Sequence, residues 1–228
     1  MEIFHLGMHM IRRIALAAAV TSLVTGCATV NQPFTADTAS ALKSQTVAVA
    51  GSNEKPNFVA MTAGKAAFAM LGAVAMIAAG NDIVKEHNVQ DPAADIAREL
   101  SASLGQKYGA QVTANTISLN SEDPAQLAAA AGGNARYVFD VRTAGWSFGY
   151  FPTDWTHYRV MYTARARLID AEKKTVIAES ICSQMPLTNE GAPTYDELLA
   201  NGAALLKSKL AAAGKECVAK FSDTMFKA

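Results

Sequence analysis

The sequence predicts an α/β fold, with α+β as the alternative: one domain whose mixed sheet carries a long C-terminal β-hairpin and is packed by helices. Three observations predict it. Short β-rich runs alternate with helix-period runs between Thr46 and Leu119. Extended material from Tyr137 to Ile169 meets a turn at Asp170-Ala171-Glu172-Lys173-Lys174 and returns from Thr175 to Cys182, as a hairpin does. A closing helix from about Thr194 to Phe221 offers Leu198, Leu199, Leu205, Leu206, Leu210, Cys217 and Phe221 for a buried side.

Residues Ala28 to Ser44 are small, polar and interrupted by Pro33, which suits a linker spanning at most roughly 55 Å. The domain is placed at 45–228. Thr46-Val47-Ala48-Val49-Ala50 reads as a strand ended by Gly51-Ser52, and Phe58-Val59 as a second short one. Asp91-Pro92 then sets an N-cap before a helix in which Ile96, Leu100, Leu104 and Tyr108 recur every four residues up to Gly109. Gln111-Val112-Thr113 and Thr116-Ile117-Ser118-Leu119 are strand material. Asp123-Pro124 caps an alanine-rich helix stopped at Gly132-Gly133.

Between Phe58 and Gly80 the single charge is Lys65, and Gly64, Gly72 and Gly80 recur every eight residues. Small residues at regular spacing let backbones approach closely, in membranes and in soluble interfaces alike. Three readings follow: a buried helix of the domain, an oligomer contact, or insertion into a bilayer or pore. The amphipathic continuation Asn81-Asp82-Ile83-Val84-Lys85-Glu86 favours the first.

Half of the 228 residues are hydrophobic, enough for a real core, and the formal net charge is zero. No long basic run marks a surface for nucleic acid or for anionic head groups. At the N-terminus Arg12-Arg13 precede an uncharged apolar stretch from Ile14 to Val24, too short to span a bilayer that needs about 20 apolar residues. It ends in Leu23-Val24-Thr25-Gly26-Cys27, which reads as a lipobox, with 1–26 the signal segment; Met8 or Met10 could equally start it. The pattern resembles bacterial lipoprotein signals, which implies a diacylglyceryl group and an N-acyl chain on Cys27, and palmitate among the modifications. Ala28, rather than Asp, follows Cys27, so the resemblance implies the outer membrane, facing the periplasm. In that oxidising compartment Cys182 and Cys217 form an even pair, and a disulfide between them would link a strand end to the closing helix.

Candidate site residues concentrate in the hairpin, where Trp146, Phe148, Tyr150, Trp155, Tyr158 and Arg159 stand close together. They support either ordinary cross-strand stacking or an exposed ledge for a glycan, peptide or protein, since tryptophan, tyrosine and arginine dominate interface hot spots. Gly145-Trp146-Ser147-Phe148-Gly149 matches G-x-S-x-G, with Asp154 and His157 following in hydrolase order, but it lies in an aromatic strand rather than a strand–turn–helix elbow. The pairs His87/Asp91 and His157/Asp154 are too few for a metal site. No cofactor is expected beyond the lipid on Cys27.

The order of elements, with Tyr137-Val138-Phe139-Asp140-Val141 and the hairpin bearing Arg167-Leu168-Ile169-Asp170, resembles a group of periplasmic lipoproteins: the curli-secretion lipoprotein and the outer-membrane activators of peptidoglycan synthases. The resemblance implies a domain shaped like anticodon-binding domains and a non-catalytic binding or adaptor role, with an envelope protein or peptidoglycan as partner. A ring or channel component of an outer-membrane secretion system, hence a homo-oligomer, is the alternative, and a serine hydrolase using Ser147 the weaker one. The short linker sets this chain apart from the activators, which need to reach the inner membrane.

Overall fold

The computed structural model describes residues 32–62 and 69–226; the signal segment and Cys27 lie outside them. Six strands, β1 (Thr46–Gly51), β2 (Phe58–Met61), β3 (Gln111–Ser118), β4 (Tyr137–Phe151), β5 (Asp154–Asp170) and β6 (Thr175–Gln184), form one sheet. The helices are α1 (Ala36–Ala41), α2 (Ala69–Glu86), α3 (Ala93–Tyr108), α4 (Pro124–Ala130) and α5 (Tyr195–Thr224). The sheet order is β3-β1-β4-β5-β6, with β2 also on β4. Pairings of β1 with β3 and β4, and of β2 with β4, are parallel; the β4-β5-β6 hairpins are antiparallel, so the sheet is mixed as expected.

β4 is long enough for two strands to lie end to end on one of its edges. Val47–Ala50 face Tyr137–Asp140, and Phe58–Met61 face Trp146–Gly149. Between them the chain from Ser52 to Asn57 leaves the sheet, so Val141–Thr143 have no strand partner on that edge. β3 joins the two short runs seen in the sequence across a bulge: Val47 pairs with Val112 but Val49 with Thr116, which swells Thr113–Asn115 away from β1.

One face of the sheet is dry. Tyr137, Phe139, Val141, Trp146 and Phe148 of β4, and Tyr158, Val160, Tyr162, Ala164, Ala166 and Leu168 of β5, alternate onto it beneath α2, α3 and α5. The opposite face is covered by α4 at one end only, where Leu127 and Ala131 meet Ala48, Ala50, Val138 and Ile169. The predicted caps hold at Asp123 and Gly109, whereas α3 takes Pro92 rather than Asp91 as its N-cap. Asp123 accepts from Gln126 N at 2.9 Å, Asp91 from Ala93 N at 2.9 Å, and Gly109 closes α3 in the left-handed region at φ 67°.

Two features depart from the sequence reading. The first is the linker, whose residues from Gln32 onward belong to the domain: α1 is capped by Thr35, Phe34 packs on Tyr108 and Phe226, and Leu42 is fully buried. Two large apolar side chains outweigh the polar composition that suggested a tether. The second is the closing helix, which breaks at Ala200–Ala203. Asn201 and Gly202 accept left-handed backbone there, and the break turns Leu205 outward while Leu198, Leu206 and Leu210 stay buried. The glycine spacing, by contrast, does what the favoured reading expected at Gly80, where a Cβ would lie 2.0 Å from the Phe58 carbonyl oxygen. Here the small residue lets α2 lie directly on β2, and Asn81 Oδ1 accepts from Phe58 N at 2.9 Å. Among the described residues no helix is long and apolar enough to cross a membrane. Gly64 and Lys65 lie outside them, and Ala73, Val74, Ala75 and Ala78 leave a bare apolar strip on α2.

Cys182 at the end of β6 and Cys217 in α5 are bonded, with Cα atoms 5.4 Å apart, so the disulfide staples sheet to helix. Closing 35 residues contributes roughly 4 kcal/mol on the chain-entropy estimate.

Candidate functional site

The aromatic hairpin is chiefly core. Trp146, Phe148 and Tyr158 are buried, because every second residue of β4 and β5 faces the helices. Trp146 stacks edge-on against Phe58 at 5.0 Å and donates to Pro56 O at 2.9 Å; Phe148 and Tyr158 both meet Tyr195. The exposed ledge is therefore corrected for these three. Tyr150 is half-buried against Trp155 at 6.0 Å, and Trp155 stands out at the hairpin turn. Arg159 lies over the Phe151 ring at 5.3 Å and donates to Pro186 O at 3.2 Å.

Ser147 sits mid-strand opposite Met161, with no elbow around it. His157 is four residues further along β5, roughly 13 Å away along the strand, and pairs with Asp154 at 2.6 Å. Hydrogen bonds from Thr156 and Asn189, with His157 adding to them, hold the Asp154 carboxyl well below the usual carboxylate range. These bonds fasten the turn; they do not reach Ser147.

The main concavity lies where β1 ends. A cleft of about 1030 Å³ opens between the Ser52–Asn57 loop, the first half of α3, the bulge of β3 and the segment Asn120–Glu122, over the unpaired stretch Val141–Thr143 of β4. Asp91 is its most perturbed group. Burial raises its pKa, partly offset by hydrogen bonds from Thr143 and Ala93 and by the charge of Lys55. Thr143 Oγ1 donates to Asp91, and Tyr162 OH stands 2.9 Å behind Thr143, so a short polar chain runs from the cleft into the core. Asp91 turns to Thr143 in this arrangement, and the suggested pairing with His87 is not made.

The far rim is held by Arg142. Its guanidinium bonds Asp140 at 2.8 Å and donates to the carbonyls of Leu119 at 2.8 Å, Asn120 at 3.3 Å and Ser121 at 2.8 Å. Arg167 shares the buried Asp140 from the other side at 2.6 Å. These charges are already committed, as are Arg98, paired with Asp95 at 2.7 Å, and Lys55, donating to Val89 O at 2.9 Å. Apart from Glu54, what lines the rest of the cleft is mostly neutral: Asn53 and Ser118, with Asn57, Gln90, Thr113 and Asn120, each of which already bonds a neighbour. Such amides and hydroxyls both donate and accept, which suits a neutral polar ligand better than an anion. Among the described residues no three of His, Cys, Asp or Glu gather as metal ligands do.

No protein-family model and no curated protein matches the chain. Solved structures similar in fold include the PelC dodecamer from Paraburkholderia phytofirmans, at 16% identity over 75% of this chain and 88% of that one, with a TM-score of 0.31. Lipoprotein GNA1162 from Neisseria meningitidis is similar at 13% identity, covering 77% of this chain and 99% of that one, TM-score 0.28. The LpoB C-terminal domain from Escherichia coli is similar at 14% identity, covering 63% and 84%, TM-score 0.23. The likeness to each is one of layout, and no functional residue carries across.

Proposed function

We propose that this chain is a non-catalytic lipoprotein of the bacterial envelope, anchored through Cys27 in the outer membrane with its domain in the periplasm, and that it binds another envelope component in the cleft beside Asp91. The observation that carries the binding site is the gap in β4's edge: a large concavity whose arginines and Lys55 are spent on its own walls and whose lining, Glu54 apart, is mostly amides and hydroxyls. An extended peptide or a peptidoglycan strand has the matching chemistry, and needs no metal or cofactor. The lipobox-like run ending at Cys27 supports the setting and nothing finer.

A ring-forming role is the second reading, favoured by the bare apolar strip of α2 at Ala73, Val74, Ala75 and Ala78. Crosslinking in cells of the full-length protein beside Cys27→Ser, followed by mass spectrometry, separates the two. An anchored binding protein yields a defined envelope partner that Cys27→Ser loses, and Asn53→Trp, which fills the cleft, loses it as well. Recovery of self-crosslinks alone, unaffected by Asn53→Trp, would establish the ring instead.

A further inference from the structure

We infer a second membrane contact, resting on the reading that Cys27 is lipidated: the domain lies on its β6 side, with Trp155, Met185 and Leu187 seated in the bilayer that holds the anchor. These are three of the large apolar side chains that stand exposed, at 64%, 49% and 80%. Isolated exposed apolar residues are ordinary; these three share one end of the molecule. Asn189 Nδ2 donates to Asp154 Oδ2 at 2.8 Å, and Arg159 to Pro186 O at 3.2 Å, which ties the segment bearing Met185 and Leu187 to the turn bearing Trp155. Trp155 is held by its own Nε1 donating to Pro152 O at 3.2 Å.

The start of the described chain says what covers this end. Gln32 pairs antiparallel with Glu179, exchanging hydrogen bonds of 3.0 and 2.9 Å. Because the pairing is antiparallel, the described chain runs from Gln32 away from the Gln184 side of β6, the side on which Met185 and Leu187 lie. Gln32 is the fifth residue after Cys27, a reach of at most roughly 18 Å. Met185 is six residues beyond Glu179, about 20 Å along the strand, so an acylated Cys27 and Met185 reach the same membrane surface. Trp155 is twelve residues along β5 from Arg167, the partner of Glu179, or about 40 Å. A surface touching Trp155 while passing within 18 Å of Gln32 is inclined to the hairpin by no more than about 27°. The hairpin then lies nearly flat, its β6 side down. Charges around the end are mixed, with Arg159 and Lys209 beside Glu190 and Glu216, so the contact rests on apolar insertion and interfacial tryptophan rather than on anionic lipid.

The test uses the full lipidated chain reconstituted in phosphatidylcholine vesicles, with or without bromine on the acyl chains. The protein should float with the vesicles, and bromolipid should quench a tryptophan emission component that Trp155→Phe removes and Leu187→Asp diminishes. Flotation with equal emission in both vesicles, or quenching that survives Trp155→Phe, overturns the seated end and leaves the anchor standing. Failure to float overturns the anchor and the seating together.

Discussion

Two regions with opposite chemistry adjoin on β4. Trp146 and Phe148 enter an aromatic cluster with Phe58, Tyr158 and Tyr195, and from Trp146 to Gly149 the strand is paired on both edges. From Val141 to Thr143 one edge is bare, Arg142 is spent on three carbonyls, and Thr143 links a half-buried carboxyl to a buried tyrosine. The first region is complete in itself: its polar handles, such as Trp146 Nε1, already have partners. The second leaves groups facing a cavity, and such groups are what a ligand reads. Aromatic density here marks stability; the proposed recognition surface lies where the strand pairing is interrupted.

That contrast predicts different penalties. Phe148→Ala empties the aromatic cluster and should cost about 3–5 kcal/mol in denaturant unfolding, while whatever protein stays folded still binds; loss of binding without loss of stability would reverse the assignment. Arg142→Met should cost less, about 2–3 kcal/mol, by stranding the carbonyls of Leu119 to Ser121, and should abolish partner crosslinking because the rim is released.

The contrast also explains what the sequence shows and hides. Alternation of Trp146, Phe148 and Tyr150, the Asp123-Pro124 cap, the hairpin turn and the Cys182–Cys217 staple are local or compositional signals, and each was legible. Which face those aromatics occupy was not, because alternation fixes a side and says nothing of what covers it. The cleft was hidden for a different reason. Asn53, Asp91, Thr113, Asn120 and Arg142 come from five segments brought together by a bulge and by the end-to-end placement of β1 and β2, and Asp91 already had a sufficient role as a helix cap. Phe34 and Leu42 were overlooked because two apolar residues among small polar ones do not make a periodicity.

Smaller effects sharpen the same comparison through pH. Asp170, in a bidentate pair with Arg136 at 2.5 and 2.8 Å, has its pKa lowered to about 2, mainly by that pair. Its stabilisation is present above the ordinary carboxylate range and is lost as pH falls through about 2. Asp170→Asn should cost about 2 kcal/mol at neutral pH and flatten the acid limb of the unfolding midpoint. Asp91 has the opposite sign: burial raises its pKa, so stability falls as pH rises from the ordinary carboxylate value through the raised one. Asp91→Asn keeps an acceptor for Thr143 and Ala93 and removes the charge. Its stability should change by less than about 1 kcal/mol at neutral pH, and the loss on raising pH through that window should vanish, as thermal unfolding from pH 4 to 8 would show.

The central claim, that the cleft and not the hairpin is the binding site, is tested most directly by placing a photoreactive amino acid at Asn53 and, separately, at Ser147 on the open strand face, in lipidated protein within cells. The account predicts a discrete adduct with one envelope component from Asn53, absent from Ser147 and lost when Arg142 is also replaced. The same adduct from Ser147, with none from Asn53, would contradict it.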